Sequence, residues 1–153
     1  MKRFSILLMI CFIIGCSKDN NGIVPEEEFV FKNILKSETG LANPFQVPKQ
    51  QLIIKTLAEW KLLLSKMNSD DQNTCKLATA DLNFDAYSIV AVIDEVKGST
   101  GYVVTITNVV EHTEKLIITI KYTTLNNPTS GPMNTQPFHI IKIHKTNKPI
   151  EFN

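Results

Sequence analysis

From Tyr102 to Tyr122 the chain reads YVVTITNVVEHTEKLIITIKY, two segments rich in β-branched residues around a short polar one. Val, Ile and Thr are stiff at χ1 and suit a pleated strand better than a helix. In Lys115–Tyr122, Leu116, Ile118, Ile120 and Tyr122 fall on one face and Lys115, Thr119 and Lys121 on the other, a period of two. Glu111-His112-Thr113-Glu114 between the two segments has the length of an antiparallel hairpin loop. The run therefore predicts a β-hairpin with one buried face.

The flanking sequence extends the same pattern. Phe138–His144 (FHIIKIH) predicts another strand, and Ile150-Glu151-Phe152 a short last one. Upstream, Tyr87–Val92 (YSIVAV) is apolar on both faces and is expected at the centre of a sheet. Gln51–Lys55 is a short apolar run, and Glu28–Lys36 (EFVFKNILK) is compatible with a first strand. Thr39–Pro48, with Gly40, Pro44 and Pro48, is loop. One helix interrupts the strands. Thr56-Leu57-Ala58-Glu59 matches a capping box, and Leu57, Trp60, Leu64 and Met67, with Leu63 beside them, follow at helical spacing. Asn68–Asp71 is expected to end it, and Trp60 to anchor it in the core. With no internal repeat, the economical architecture is α+β: a mostly antiparallel β-sheet with one packed amphipathic helix, in a single domain.

The N-terminus reads as an address. Lys2 and Arg3 precede the eleven-residue, almost wholly apolar run Phe4–Ile14. As a helix this rises about 16 Å, against roughly 30 Å of bilayer hydrocarbon, so it suits the core of a signal peptide and not a membrane span. Ile13-Ile14-Gly15-Cys16 resembles the lipobox of bacterial lipoproteins, which implies cleavage before Cys16 and acylation of that cysteine. The expected organisation is residues 1–15 as signal peptide, 16–27 as flexible tether and 28–153 as a β-rich domain. Lipidated Cys16 would hold the chain in the outer membrane, facing the cell surface or the periplasm. Ser17-Lys18-Asp19 resembles a weak surface-export cluster and equally suits a solvated linker.

Charge and composition narrow the function. The full chain carries 16 Lys+Arg against 15 Asp+Glu, a net charge of +1. Without residues 1–15, 14 Lys face 15 Asp+Glu for a net of −1, and Arg3, the sole arginine, is lost. That balance does not suit neutralising phosphates, and nucleic acid is not an expected partner. Cys11 leaves with the signal and Cys16 is acylated, so Cys75 stands alone without a disulfide partner and is read as passive. His139 and His144 are five apart on one strand and point to opposite faces, while His112 sits in the hairpin loop. The chain contains no HExxH, CxxC, phosphate-loop or GxSxG pattern, so neither a catalytic group nor a cofactor is expected. Asp70-Asp71 and Asp94-Glu95 read as solvated ends of elements.

From Leu82 to Phe152 the order of motifs is more specific. Asn83-Phe84 and Tyr87 lead into Ile89-Val90-Ala91-Val92. Lys97-Gly98-Ser99-Thr100-Gly101-Tyr102 and two β-branched strands follow, then a Pro/Gly loop (Asn127–Met133) and Thr135-Gln136-Pro137-Phe138-His139. This resembles the PrcB C-terminal domain of bacterial lipoproteins, first named as a subunit of a surface protease complex. Ser99-Thr100-Gly101 stands where that family is richer in glycine. The resemblance implies a non-catalytic accessory role, with another envelope protein as partner and a protease among the candidates.

The candidate partner-binding residues are Gly98, Ser99, Thr100, Gly101, Tyr102, Met133, Pro137, Phe138 and His139. If the sheet brings both loops to one end, Tyr102, Met133 and Phe138 form an apolar rim; alternatively Tyr102 and Phe138 plug the sheet and His139 hydrogen-bonds locally. A second reading is a protease inhibitor that inserts residues 98–102 and 129–138 into a cleft. Thr100-Gly101-Tyr102 is similar to a turn of the small inhibitors of papain-like proteases. A third is an envelope enzyme without a recognisable motif.

Overall fold

A computed structural model describes residues 27–28, 30–37, 47–67, 82–125 and 134–153. Eight strands and one helix follow in the order β1 (Glu27–Glu28), β2 (Lys32–Ser37), β3 (Gln50–Ile54), α1 (Leu57–Ser65), β4 (Tyr87–Ile93), β5 (Tyr102–Glu111), β6 (Leu116–Thr124), β7 (Phe138–His144) and β8 (Ile150–Phe152). The fold is α+β and mostly antiparallel, with β6–β8 the one parallel pair among the described residues.

The strands divide between two four-stranded sheets, β1-β5-β6-β8 and β2-β7-β4-β3. The predicted first strand over 28–36 is two pieces. β1 pairs with β5 in one sheet and β2 with β7 in the other, so this length of chain passes from sheet to sheet.

Alternation along the middle sheet builds two cores. Val90 and Val92 of β4 and Ile141 and Ile143 of β7 meet Val104, Ile106, Val109, Leu116 and Ile118 of the facing sheet. The opposite residues, Ile89, Ala91, Ile93, Phe138 and Ile140, meet Trp60, Leu63 and Met67 on the helix side. The molecule is thus three layers: sheet, sheet and helix. The middle strands are covered on both faces, which is why YSIVAVI and FHIIKIH carry apolar residues at successive positions.

A bulge keeps β5 in phase with its core. Register shifts between Ile106 and Asn108 opposite Ile120 and Thr119, leaving Thr107 as the extra residue. One added residue flips the facing pattern, so Val104, Ile106 and Val109 all turn inward.

At the start of α1, Thr56 Oγ1 accepts the Glu59 N–H at 3.2 Å and Glu59 Oε2 accepts the Thr56 and Lys55 N–H groups at 3.0 and 2.8 Å. That is the predicted capping box, which satisfies donors the first helical turn cannot. Trp60 is 3% exposed and anchors the helix as expected. Leu57 departs from the expected apolar face and is 52% exposed, because as the first helical residue it turns away from the sheet. The helix ends at Ser65, before Asn68, and Asn68–Asp71 lies outside the described residues.

Candidate functional site

Beyond the regular end of β4 and the start of β7, the backbone continues to pair. Asp94 N–H donates to the Pro137 carbonyl at 2.9 Å, and Lys97 and Thr135 exchange two bonds of 2.7 and 2.8 Å. Thr135 Oγ1 donates to the Ser99 carbonyl at 2.8 Å, and Leu125 N–H to the Gly101 carbonyl at 2.7 Å. Gln136 is buried, and its Nε2 donates to the carbonyls of Val47 at 2.6 Å and Asp94 at 2.9 Å. Four segments distant in sequence, 47–49, 94–102, 122–125 and 134–137, are therefore fixed together at one end of the molecule.

Glycine matters at one position in the turn. Gly101 has φ 93°, where an L side chain is strained, so residue type fixes the path of the chain into β5. Gly98 is exposed, with open space where a Cβ would stand.

Beside this turn lies a cavity of about 240 Å³ lined by Lys49, Asp94, Lys97, Tyr102, Tyr122 and their neighbours. Asp94 lies at its base: its side chain is 6% exposed, with Lys49 Nζ 2.9 Å from Oδ1 and Lys97 Nζ 3.4 Å from Oδ2. Lys97 also reaches Glu95 at 2.6 Å. Each ammonium sits over an aromatic ring, Lys49 at 4.6 Å from the centre of Tyr122 and Lys97 at 5.3 Å from that of Tyr102. Burial alone raises the Asp94 carboxyl. The Lys49 hydrogen bond, the Glu95 N–H and the Lys97 charge outweigh it and hold the carboxyl below its usual 3.8. In return, Asp94 raises Lys49, and Glu95 and then Asp94 raise Lys97, both above 10.5. Both amines are thus held charged, the opposite of what a lysine nucleophile requires.

Asp94 corrects the expectation of a solvated strand end. Asp94 continues the buried strand by one residue, and two lysines enter the sheet end with it, whereas Glu95 does remain exposed. Sequence reasoning also passed over Lys49, Lys97 and Tyr122. The available signal was Asp94 directly after the apolar run YSIVAVI, with Lys97 three residues on.

The candidate partner-binding residues separate into two groups. The described end of the second loop, residues 134–137, does meet the 97–101 turn, where Gly98, Ser99, Thr100 and Tyr102 keep exposed or half-exposed surface while Gly101 is covered. Pro137, Phe138 and His139 are buried, so an apolar rim that includes Phe138 does not form. Phe138 pairs with Ile93 in register, and its ring lies in the core under α1 at 0% exposure. Met133 and Cys16 lie outside the described residues, as do Cys75 and Asp70-Asp71.

His139 faces the other way, between the sheets. Its Nδ1 accepts the Ile106 N–H of β5 at 2.8 Å, and its Nε2 stands 2.8 Å from Asn33 Oδ1 of β2. An acceptor at Nδ1 makes Nε2 the protonated nitrogen, donating to Asn33. These bonds reach across 33 and 106 residues, so they are not the local ones expected. Burial, with a contribution from the Lys36 charge, pushes the ring down to about 4. His139 is a neutral structural bridge, out of reach of a partner.

Among the described residues, no three His, Cys, Asp or Glu side chains are grouped to hold a metal ion. No helix among them is long and apolar enough to cross a membrane. No protein-family model, curated protein or solved structure matches the chain.

Proposed function

We propose that the chain is a cell-envelope lipoprotein, anchored through lipidated Cys16, whose β-rich domain binds another envelope protein without catalysing a reaction. The observation that carries this reading is the fixed Gly98–Tyr102 turn beside the lysine- and tyrosine-lined cavity. A turn held by Gly101, Thr135 and Leu125 loses little conformational freedom on binding, which favours affinity. Tyr102 and the exposed Tyr122 offer aromatic surface of the kind enriched at protein contacts, and ion pairs to Asp94 hold the neighbouring Lys49 and Lys97 in place. The resemblance of residues 82–152 to the PrcB C-terminal domain supports a subunit of a protease complex as the role.

The inhibitor reading asks for a wedge made of residues 98–102 and 129–138. The burial of Thr135–Phe138 removes part of the second half of that wedge, which favours the accessory reading. Copurification from the native host tests it. The tagged chain should bring down one envelope protein in near-equal amount, and Tyr102→Ala should release it. Cys16→Ser should move the chain out of the membrane fraction without abolishing binding. Retention of the partner by Tyr102→Ala, or retention of Cys16→Ser in membranes, contradicts the corresponding half of the proposal.

A further inference from the structure

Strand polarity sorts the connections of the chain between two ends of the molecule. At the end that carries the Gly98–Tyr102 turn, Ser37 of β2 stands opposite Phe138, Gln50 of β3 opposite Ile93, and Tyr102 of β5 opposite Thr124. The chain enters at the other end. Glu27 of β1 pairs with Glu111, the last residue of β5, and Glu28 with Val110. This antiparallel register points β1 at Glu27 out past the hairpin loop, away from the turn. The loop closes that end, with the His112 N–H donating to the Lys115 carbonyl at 2.8 Å. β5 is ten residues long, so the point of entry and the turn stand about 30 Å apart.

Chain length turns this topology into an orientation. Cys16 and Glu27 are eleven residues apart, a reach of at most about 40 Å. With Cys16 held in a membrane, an inverted domain spends most of that reach running back along its own strands, at a cost in conformational freedom that an upright domain avoids. Lysines at the hairpin end are already engaged: Lys115 with Glu151 at 2.7 Å, Lys148 with Glu111 at 3.0 Å, and Lys145 with the Phe84 carbonyl at 3.1 Å. The anchor, and not adhesion to lipid headgroups, therefore sets the pose. We propose that the domain stands on the membrane by its hairpin end and presents the Gly98–Tyr102 turn outward, an inference that rests on the lipoprotein reading above. Its partner is then a protein whose docking surface stands clear of the lipid and approaches from the far side of the domain.

The test uses the chain purified from membranes of its host and reconstituted in phosphatidylcholine vesicles, with and without phosphatidylglycerol. A donor dye is attached through p-azidophenylalanine at Gly98, where space for a side chain is open, or at Thr113 in the hairpin loop, and the acceptor dye sits on lipid headgroups. Energy transfer should be at least about twofold more efficient from position 113 than from position 98, given the offset of about 30 Å. The ratio should be the same in both kinds of vesicle. Deleting residues 20–23 should keep or widen the difference, and inserting about twenty Gly/Ser residues there should narrow it, because a longer chain lets the domain turn over. A chain that floats with the vesicles yet transfers equally from both positions, or better from position 98, overturns the orientation alone. So does a difference that the insertion leaves unchanged, or one that appears only with phosphatidylglycerol. A chain that does not float with the vesicles overturns the lipoprotein reading, and the orientation with it.

Discussion

Lowering the pH from 7 to 5 should destabilise the domain, and His139 should account for the loss. The folded ring is held at about 4, against 6.5 in an unfolded chain. The unfolded state therefore takes up the proton first, and stability falls as pH drops from 6.5 towards 4. The full shift corresponds to about 3 kcal/mol, of which about 2 kcal/mol is lost between pH 7 and 5. Asp94 and Glu59 are held below 3.8 and 4.5, so their contributions disappear at lower pH and do not mask the effect. Urea unfolding read by the fluorescence of Trp60, the single tryptophan, is the assay. A loss of this size lowers the urea midpoint by about 1–2 M for a domain of this class. His139→Gln is the control, since its amide offers an acceptor to Ile106 and a donor to Asn33 without titrating in this range. The difference between the two pH profiles isolates His139 from the other histidines. Parallel profiles for the wild type and the His139→Gln variant would refute the buried neutral bridge.

Other substitutions separate the surface of the site from its supports. Gly101→Ala should cost about 1–2 kcal/mol because φ is 93° there, whereas Gly98→Ala should leave the urea midpoint unchanged. Phe138→Ala should cost about 3–5 kcal/mol as a core cavity, while Tyr102→Ala, at the half-exposed cavity wall, should cost far less. Asp94→Asn should destabilise by about 1–3 kcal/mol at pH 7, because two ammoniums lose their shared carboxylate. Since the folded Asp94 lies below 3.8, the wild-type advantage over Asp94→Asn should be present above that value and vanish as pH falls through the folded one.

The elements were legible because β6 carries a period of two, β4 and β7 carry short continuous apolar runs, and α1 carries a capping box. Alternation states which residues face inward but not which layer they face, so the division into two sheets lay beyond it. The same limit hid Phe138 and His139. Both open β7, and as successive residues they enter opposite cores, one under the helix and one between the sheets. A histidine inside FHIIKIH looks polar in sequence, and its burial is explained by its contacts with the Ile106 N–H beside the β5 bulge and with Asn33 of β2. At the candidate site, the Gly98–Tyr102 turn was legible from its glycines. Asp94 was not, because its lysines come from position 49 on the entry to β3 and position 97 in the turn, and their meeting is a product of topology.

The most direct measurement is photo-crosslinking in intact cells of the native host. The photoreactive residue is benzoylphenylalanine, which keeps an aromatic ring at the position it replaces, placed at Tyr102 or at Thr113 in the hairpin loop at the far end of β5. The binding reading predicts one dominant envelope-protein adduct from position 102 and none of it from position 113. The same adduct from both positions, or none from position 102 while the protein remains folded and membrane-associated, would contradict it.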